Sequence, residues 1–159
     1  MDSPGKYIIV DKKDQKYIEI IYNILKKCGI NMALKGLFHW IPPYSRRSIR
    51  NDCNNNIVVL VWDEGLKDYS STFQMKIDSN SCLVLRKIAT LPRYEGKGIG
   101  KENLQYVDQY AREKGCKKIS LEVYIKNRKV VDFYLRNGYK TVGLKRSIRF
   151  KELMMEKGL

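Results

Sequence analysis

Apolar and polar residues alternate along 118–125, where Ile119, Leu121, Val123 and Ile125 are separated by Ser120, Glu122 and Tyr124. A period of two predicts a strand with one buried face, and it sets Glu122 on the same face as Ser120 and Tyr124. Elsewhere the period lengthens. Ile18, Ile21, Tyr22 and Leu25 recur at i, i+3, i+4 and i+7, which predicts a helix over 14–27. Leu104, Val107 and Ala111 mark a second over 98–114, stopped by Gly115. Val130, Phe133 and Tyr134 mark a third that follows Asn127 and stops at Gly138, with Tyr134 turned inward along its stripe.

Short apolar runs predict strands over 6–10, 57–62, 72–77 and 82–91, the middle two forming a hairpin around a polar turn at 63–71. A last pair of strands is predicted over 139–145 and 148–155. Between 36 and 44, aromatic side chains and the Pro42-Pro43 pair exclude one regular element, and a short helix over 45–51 follows. The predicted order is β-α-α-β-β-β-α-β-α-β-β. With 159 residues and no repeat, linker or low-complexity stretch, the expectation is one domain over 1–159.

Composition narrows the class. A hydrophobic share of 43% is ordinary for a globular chain. No apolar run reaches the ~18 residues of a membrane span, and the N-terminal segment lacks a basic-then-apolar signal layout, so a cytoplasmic protein with no membrane partner is expected. Cys28, Cys53, Cys82 and Cys116 form no CxxC pair and there is one histidine, so the cysteines read as reduced packing residues and no metal is expected. The net charge of +14, from 31 Lys and Arg against 17 Asp and Glu, favours anionic partners. Nucleic acid is compatible with it but not favoured, because the basic residues are spread along the chain rather than gathered in a tail. Arg46, Arg47 and Arg50 form the densest cluster, and Lys145, Arg146 and Arg149 the next.

The segment carrying most chemistry is the strand LVLRKIATLP running into RYEGKGIGK. Gly96, Gly98 and Gly100 stand at alternate positions where the following helix begins. A helix N-terminus offers N–H groups without intrahelical partners and a partial positive charge, and glycine lets a phosphate approach the backbone, so the segment reads as a pyrophosphate cradle. It is not a Walker A loop, since Gly100-Lys101 is followed by Glu102 and no glycine lies five residues before Gly100. A Rossmann turn would need glycine at 101, where lysine stands.

The segment resembles the acetyl-CoA motif Q/R-x-x-G-x-G/A of the GNAT superfamily of N-acetyltransferases. Both Arg93 to Gly98 and Glu95 to Gly100 match in spacing, and aligning the family's aVxPxY on Ala89 to Tyr94 selects the second. Glu95 then stands where the family has Gln or Arg, bringing a carboxylate near a phosphate, with Arg93, Lys97 and Lys101 to offset it. Downstream, KKISLEVYIKNRKVVDFYLRNGYKTVG is similar to the family's strand, Asn and FYxxxGF helix. The resemblance is firm over 83–143 and looser before it.

The resemblance implies an α/β (α+β) GNAT fold, with a mixed central sheet of about six to seven strands and about four helices on both faces. It implies acetyl-CoA as co-substrate and direct transfer to an amine of a small molecule, peptide or protein, by a monomer or homodimer. In the nearest pattern, the acetyltransferases of ribosomal-protein N-termini, the matching glutamate is general base and the tyrosine general acid, here Glu122 and Tyr134. Cofactor contacts fall by the same likeness on Ile88, Ala89, Thr90, Gly96, Lys97, Gly98, Ile99, Gly100, Lys101 and Asn127, the last also an N-cap candidate. His39, Trp40 and Tyr44 are implied to line the acceptor cleft. The chemistry wants such residues: an amine with a pKa of about 10.4 is only roughly 1 part in 10³ unprotonated at pH 7, and a carboxylate takes its proton. The alternative is a basic nucleic-acid- or protein-binding module on the same fold without catalysis, with Glu95 in its favour.

Overall fold

The stretches of period two and period 3.6 form strands and helices in the expected order in the computed structural model, which describes residues 5–159. They are β1 (Tyr7–Ile9), α1 (Gln15–Ala33), α2 (Arg46–Asn55), β2 (Ile57–Asp63), β3 (Asp68–Ile77), β4 (Cys82–Thr90), α3 (Ile99–Glu113), β5 (Lys118–Tyr124), α4 (Arg128–Arg136), β6 (Lys140–Arg146) and β7 (Lys151–Gly158). A 3-10 turn at Pro92–Tyr94 precedes α3. The strands make one seven-stranded mixed sheet in the order β1-β2-β3-β4-β5-β7-β6. β4 and β5 are parallel, whereas β1 with β2, β2 with β3, β5 with β7 and β6 with β7 are antiparallel. Among the described residues no helix is long and apolar enough to cross a membrane.

The chain divides into two compact units, one made of residues up to Lys76 with Lys87–Ile99, the other of Ile77–Arg86 with Gly100–Leu159. In the first, Ile18, Ile21, Ile24, Leu25 and Cys28 of α1 pack with Ile49 of α2 and Val58 and Leu60 of β2. In the second, Ile119, Leu121 and Val123 of β5 are buried, as are Leu104 and Val107 of α3 and Met155 of β7. Glu122 on the opposite face of β5 is exposed, as the period of two requires.

Five expectations are corrected by tertiary packing. The helix expected over 14–27 continues to Ala33, because Gly29 does not stop it: a Cβ there would lie 3.1 Å from the Trp40 carbonyl, so the glycine serves close packing. The stop is Gly36, at φ 82°, with Leu37 N–H donating back to the Met32 carbonyl at 3.0 Å. Within α1, Ile24 takes the buried place expected of Tyr22, whose ring lies 4.0 Å beneath the Arg46 guanidinium.

The turn expected at 63–71 is shorter, and β3 starts at Asp68. Ser70 and Ser71, expected in the turn, are buried strand residues, and the Thr72 hydroxyl that follows donates to the Val59 carbonyl at 2.8 Å. α2 begins where expected, with the Ser45 hydroxyl accepting from Ser48 N–H at 3.1 Å, but runs on to Asn55. The last strand starts at Lys151 rather than 148, since Ser147 and Phe150 close a turn with Ser147 N–H donating to the Phe150 carbonyl at 2.9 Å.

Candidate active site

β4 pairs with β5 from Cys82 with Lys118 to Val84 with Ser120. Beyond that ladder, Lys87 has φ 48°, a region that is costly for a side chain with a Cβ. A network in the first unit fixes it. Lys87 Nζ lies 2.5 Å from Asp52 Oδ2 and 4.2 Å above the Tyr44 ring, and the same carboxylate oxygen accepts from Gln74 Nε2 at 2.9 Å. The side chains of the pair are 10% and 15% exposed. Ile88, Ala89 and Thr90 follow this irregularity; Ala89 is buried, the other two half-buried, and the Thr90 carbonyl accepts from the Cys28 thiol at 3.1 Å.

The 3-10 turn then leads into α3, with Tyr94 N–H donating to the Leu91 carbonyl at 2.9 Å and Glu95 N–H to that of Pro92 at 3.2 Å. Gly96 and Gly98 have φ 77° and 80° with open space where a Cβ would stand, so they reverse the backbone. Gly100 does a different job: a Cβ there would lie 3.1 Å from the tip of the Phe133 ring, so its absence lets α4 approach the first turn of α3. Ile99 is buried and anchors that turn, while Lys97 and Lys101 are exposed. The N–H groups of Ile99, Gly100 and Lys101 lie in the first helical turn, where no intrahelical acceptor exists. Arg93, expected to help offset Glu95, is tied to Asp68 at 2.7 Å. Asp68 also accepts from the Tyr94 hydroxyl at 2.5 Å, and the two bonds hold its carboxyl below the usual range against the opposing effect of burial.

In the second unit, Glu122 projects from β5 with Lys145 Nζ 3.2 Å and 3.5 Å from its two oxygens. Its ion pair comes from β6. Tyr134 on α4 is 3% exposed and packs edge-on against Phe133 and Tyr139, with ring centroids 5.3 Å and 5.4 Å away. Burial raises its pKa far above the ordinary phenol value. Asn127 occupies the N-cap of α4, its carbonyl accepting from Val130 and Val131 N–H at 3.1 Å, but its side chain makes no capping bond.

A family model described as "Acetyltransferase (GNAT) family" matches residues 19–139. The chain belongs to this family. It is an acetyl-transferring enzyme with the GNAT α/β fold. The acetyltransferase superposes on PaiA N-acetyltransferase from Thermoplasma acidophilum in complex with coenzyme A at 20% identity and TM-score 0.74, covering 97% of this chain and 98% of that one. On the ribosomal-protein-S18-alanine N-acetyltransferase from Escherichia coli the values are 16%, 0.73, 96% and 93%. Against nourseothricin acetyltransferase they are 21% and 0.59, and the chain spans 65% of that protein's length and 65% of its own. No curated protein matches the chain.

In this acetyltransferase the three residues expected at the acceptor cleft lie in the first unit. Trp40 and Tyr44 pack against its apolar core, with ring centroids 5.7 Å apart. His39 is half-buried 6.1 Å from Trp40, and burial lowers its pKa, favouring the neutral imidazole. Asp52, Lys87 and Lys145 were not legible as partners of these candidates. Each joins partners from distant segments, and the one sequence signal was the Lys145 cluster of cations.

Proposed function

We propose that the acetyltransferase is an N-acetyltransferase that uses acetyl-CoA and passes the acetyl group directly to a primary amine on a small molecule, peptide or protein. The observation that carries the reading is the pair of left-handed glycines, Gly96 and Gly98, set immediately before the first turn of α3 with open space around both. Such a turn suits a diphosphate, bound by the backbone N–H groups of Gly98, Ile99, Gly100 and Lys101 and by the cations of Lys97 and Lys101. The Thermoplasma protein, in complex with coenzyme A, supports the same ligand class here. The family model runs through both units, which supports reading the chain as a single domain.

Acetyl-CoA supplies an activated acetyl group as a thioester. The chain's own residues do the rest. By the family likeness, backbone N–H groups around Ile88, Ala89 and Thr90 are contacts for the pantetheine arm, and so is Asn127. Glu122 takes the proton of the acceptor ammonium, which makes the nitrogen nucleophilic, and Tyr134 gives its proton to the departing sulfur; each step is typically worth about 10²- to 10⁴-fold. His39, Trp40 and Tyr44 border the acceptor.

A panel of amines and amino-terminal peptides incubated with the protein and acetyl-CoA, read as thiol release and acetylated product by mass, tests this. The expected result is at least one amine that raises thiol release above hydrolysis with stoichiometric acetylation. Thiol release that no amine accelerates would overturn it.

A further inference from the structure

Tyr124 of β5 stands opposite Glu152 of β7, and Glu152 stands opposite Lys145 of β6. Glu122 lies two residues before Tyr124, so Glu122, Glu152 and Lys145 share one face of three neighbouring strands. Lys145 Nζ bridges the two Glu122 oxygens at 3.2 Å and 3.5 Å. Lys145 reaches Glu122 across β7 at the position where Glu152 stands, so the two carboxyl groups are neighbours on that face. An ionised carboxylate only accepts, so two neighbouring carboxyl groups can bond to each other only through a shared proton. Glu152 is the more enclosed partner, half-buried where Glu122 is exposed. Its burial and the neighbouring Glu122 carboxyl raise its pKa, while Lys145 acts in the opposite direction. The titratable groups facing it are Glu122 and Tyr124 on β5 and Lys145 on β6.

We propose that Glu152 is a positioning residue for acceptor deprotonation, sharing one proton with Glu122 across β5 and β7 and thereby setting the pH at which the pair works as a base. The inference rests on the reading of Glu122 as general base. With two protons bound, the pair takes up no more. With one, the proton lies between the carboxyl groups and occupies the Glu122 oxygen that faces Glu152. With none, two adjacent carboxylates repel, held together by Lys145, and the pair readily accepts the proton of a nearby ammonium. That transfer leaves a neutral amine and a singly protonated pair, which returns its proton to solvent after turnover.

Carboxyl ¹³C NMR titration of glutamate-labelled protein, with the pH profile of thiol release from acetyl-CoA using the alkyl amine turned over fastest in the panel above, tests the proposal. In the wild type, Glu122 and Glu152 are expected to show the same two-step titration, collapsing to one step in either Glu122→Gln or Glu152→Gln. Glu152→Gln should move the acidic limb of kcat/KM to lower pH by about 1 unit, and Lys145→Met should move it to higher pH, both with unchanged KM for acetyl-CoA. Independent one-step titrations, or a Glu152→Gln profile that superposes on the wild type, would overturn the shared-proton role. Wild-type rates and profile in Glu122→Gln would overturn the base assignment beneath it, so the silent variant identifies which claim has failed.

Discussion

Tyr134 is enclosed by Phe133 and Tyr139, and burial disfavours the phenolate, so its hydroxyl keeps a proton to give through the alkaline range. Tyr134→Phe is expected to lower kcat about 10²-fold or more with little change in acetyl-CoA affinity, measured by steady-state rates and calorimetric binding. Tyr139 is raised in the same direction by burial and by the Asp108 charge. Both tyrosines titrate higher in the folded than in the unfolded chain, where a phenol has a pKa of about 10. Their contribution to stability is therefore complete below pH ~10 and is lost as pH rises further, when the unfolded state releases protons that the folded state keeps. Urea midpoints should fall between pH 9 and 11, less steeply in Tyr139→Phe than in the wild type. The inward face of Tyr134 was legible from its spacing with Val130. The partner of Glu122 was not, because Lys145 is 23 residues away and reaches it only through the β5-β7-β6 ladder.

At the scale of elements, two glycines two positions apart, Gly98 and Gly100, separate backbone conformation from packing. Gly98→Ala puts a Cβ in the left-handed region at a cost of roughly 1–2 kcal/mol, although nothing stands in its way. It should lower the unfolding free energy by that amount and weaken acetyl-CoA binding. Gly100→Ala, by contrast, drives a Cβ against Phe133 and is expected to act through displacement of α4. The left-handed Lys87 in β4 depends on Asp52 of α2. Asp52→Ala strands a charge that is 10% exposed, which should cost about 3–5 kcal/mol in denaturant unfolding, whereas Lys87→Met with Asp52→Leu should recover much of it. The strand-turn-helix at the glycines was legible because its signals are local. The start of β3 was not, since Ser70 and Ser71 carry a turn-like composition that their burial and mutual hydrogen bond override.

For the whole molecule, the +14 charge favours an anionic co-substrate through long-range attraction, so acetyl-CoA association should slow as salt rises from 50 to 500 mM, roughly the range over which the Debye length falls below 10 Å. The element order was legible from end to end because each element bears its own periodicity; the acceptor was not, because Trp40 and Tyr44 serve the first unit's core and their aromatic character suits packing as well as binding. The central claim is that the backbone of residues 96–101 grips the diphosphate of acetyl-CoA. Amide ¹H-¹⁵N shifts recorded during titration with acetyl-CoA test it most directly. The largest changes should fall on Gly96, Lys97, Gly98, Ile99, Gly100 and Lys101 and saturate at one equivalent; amides there that stay unmoved while the ligand binds elsewhere, or not at all, would contradict it.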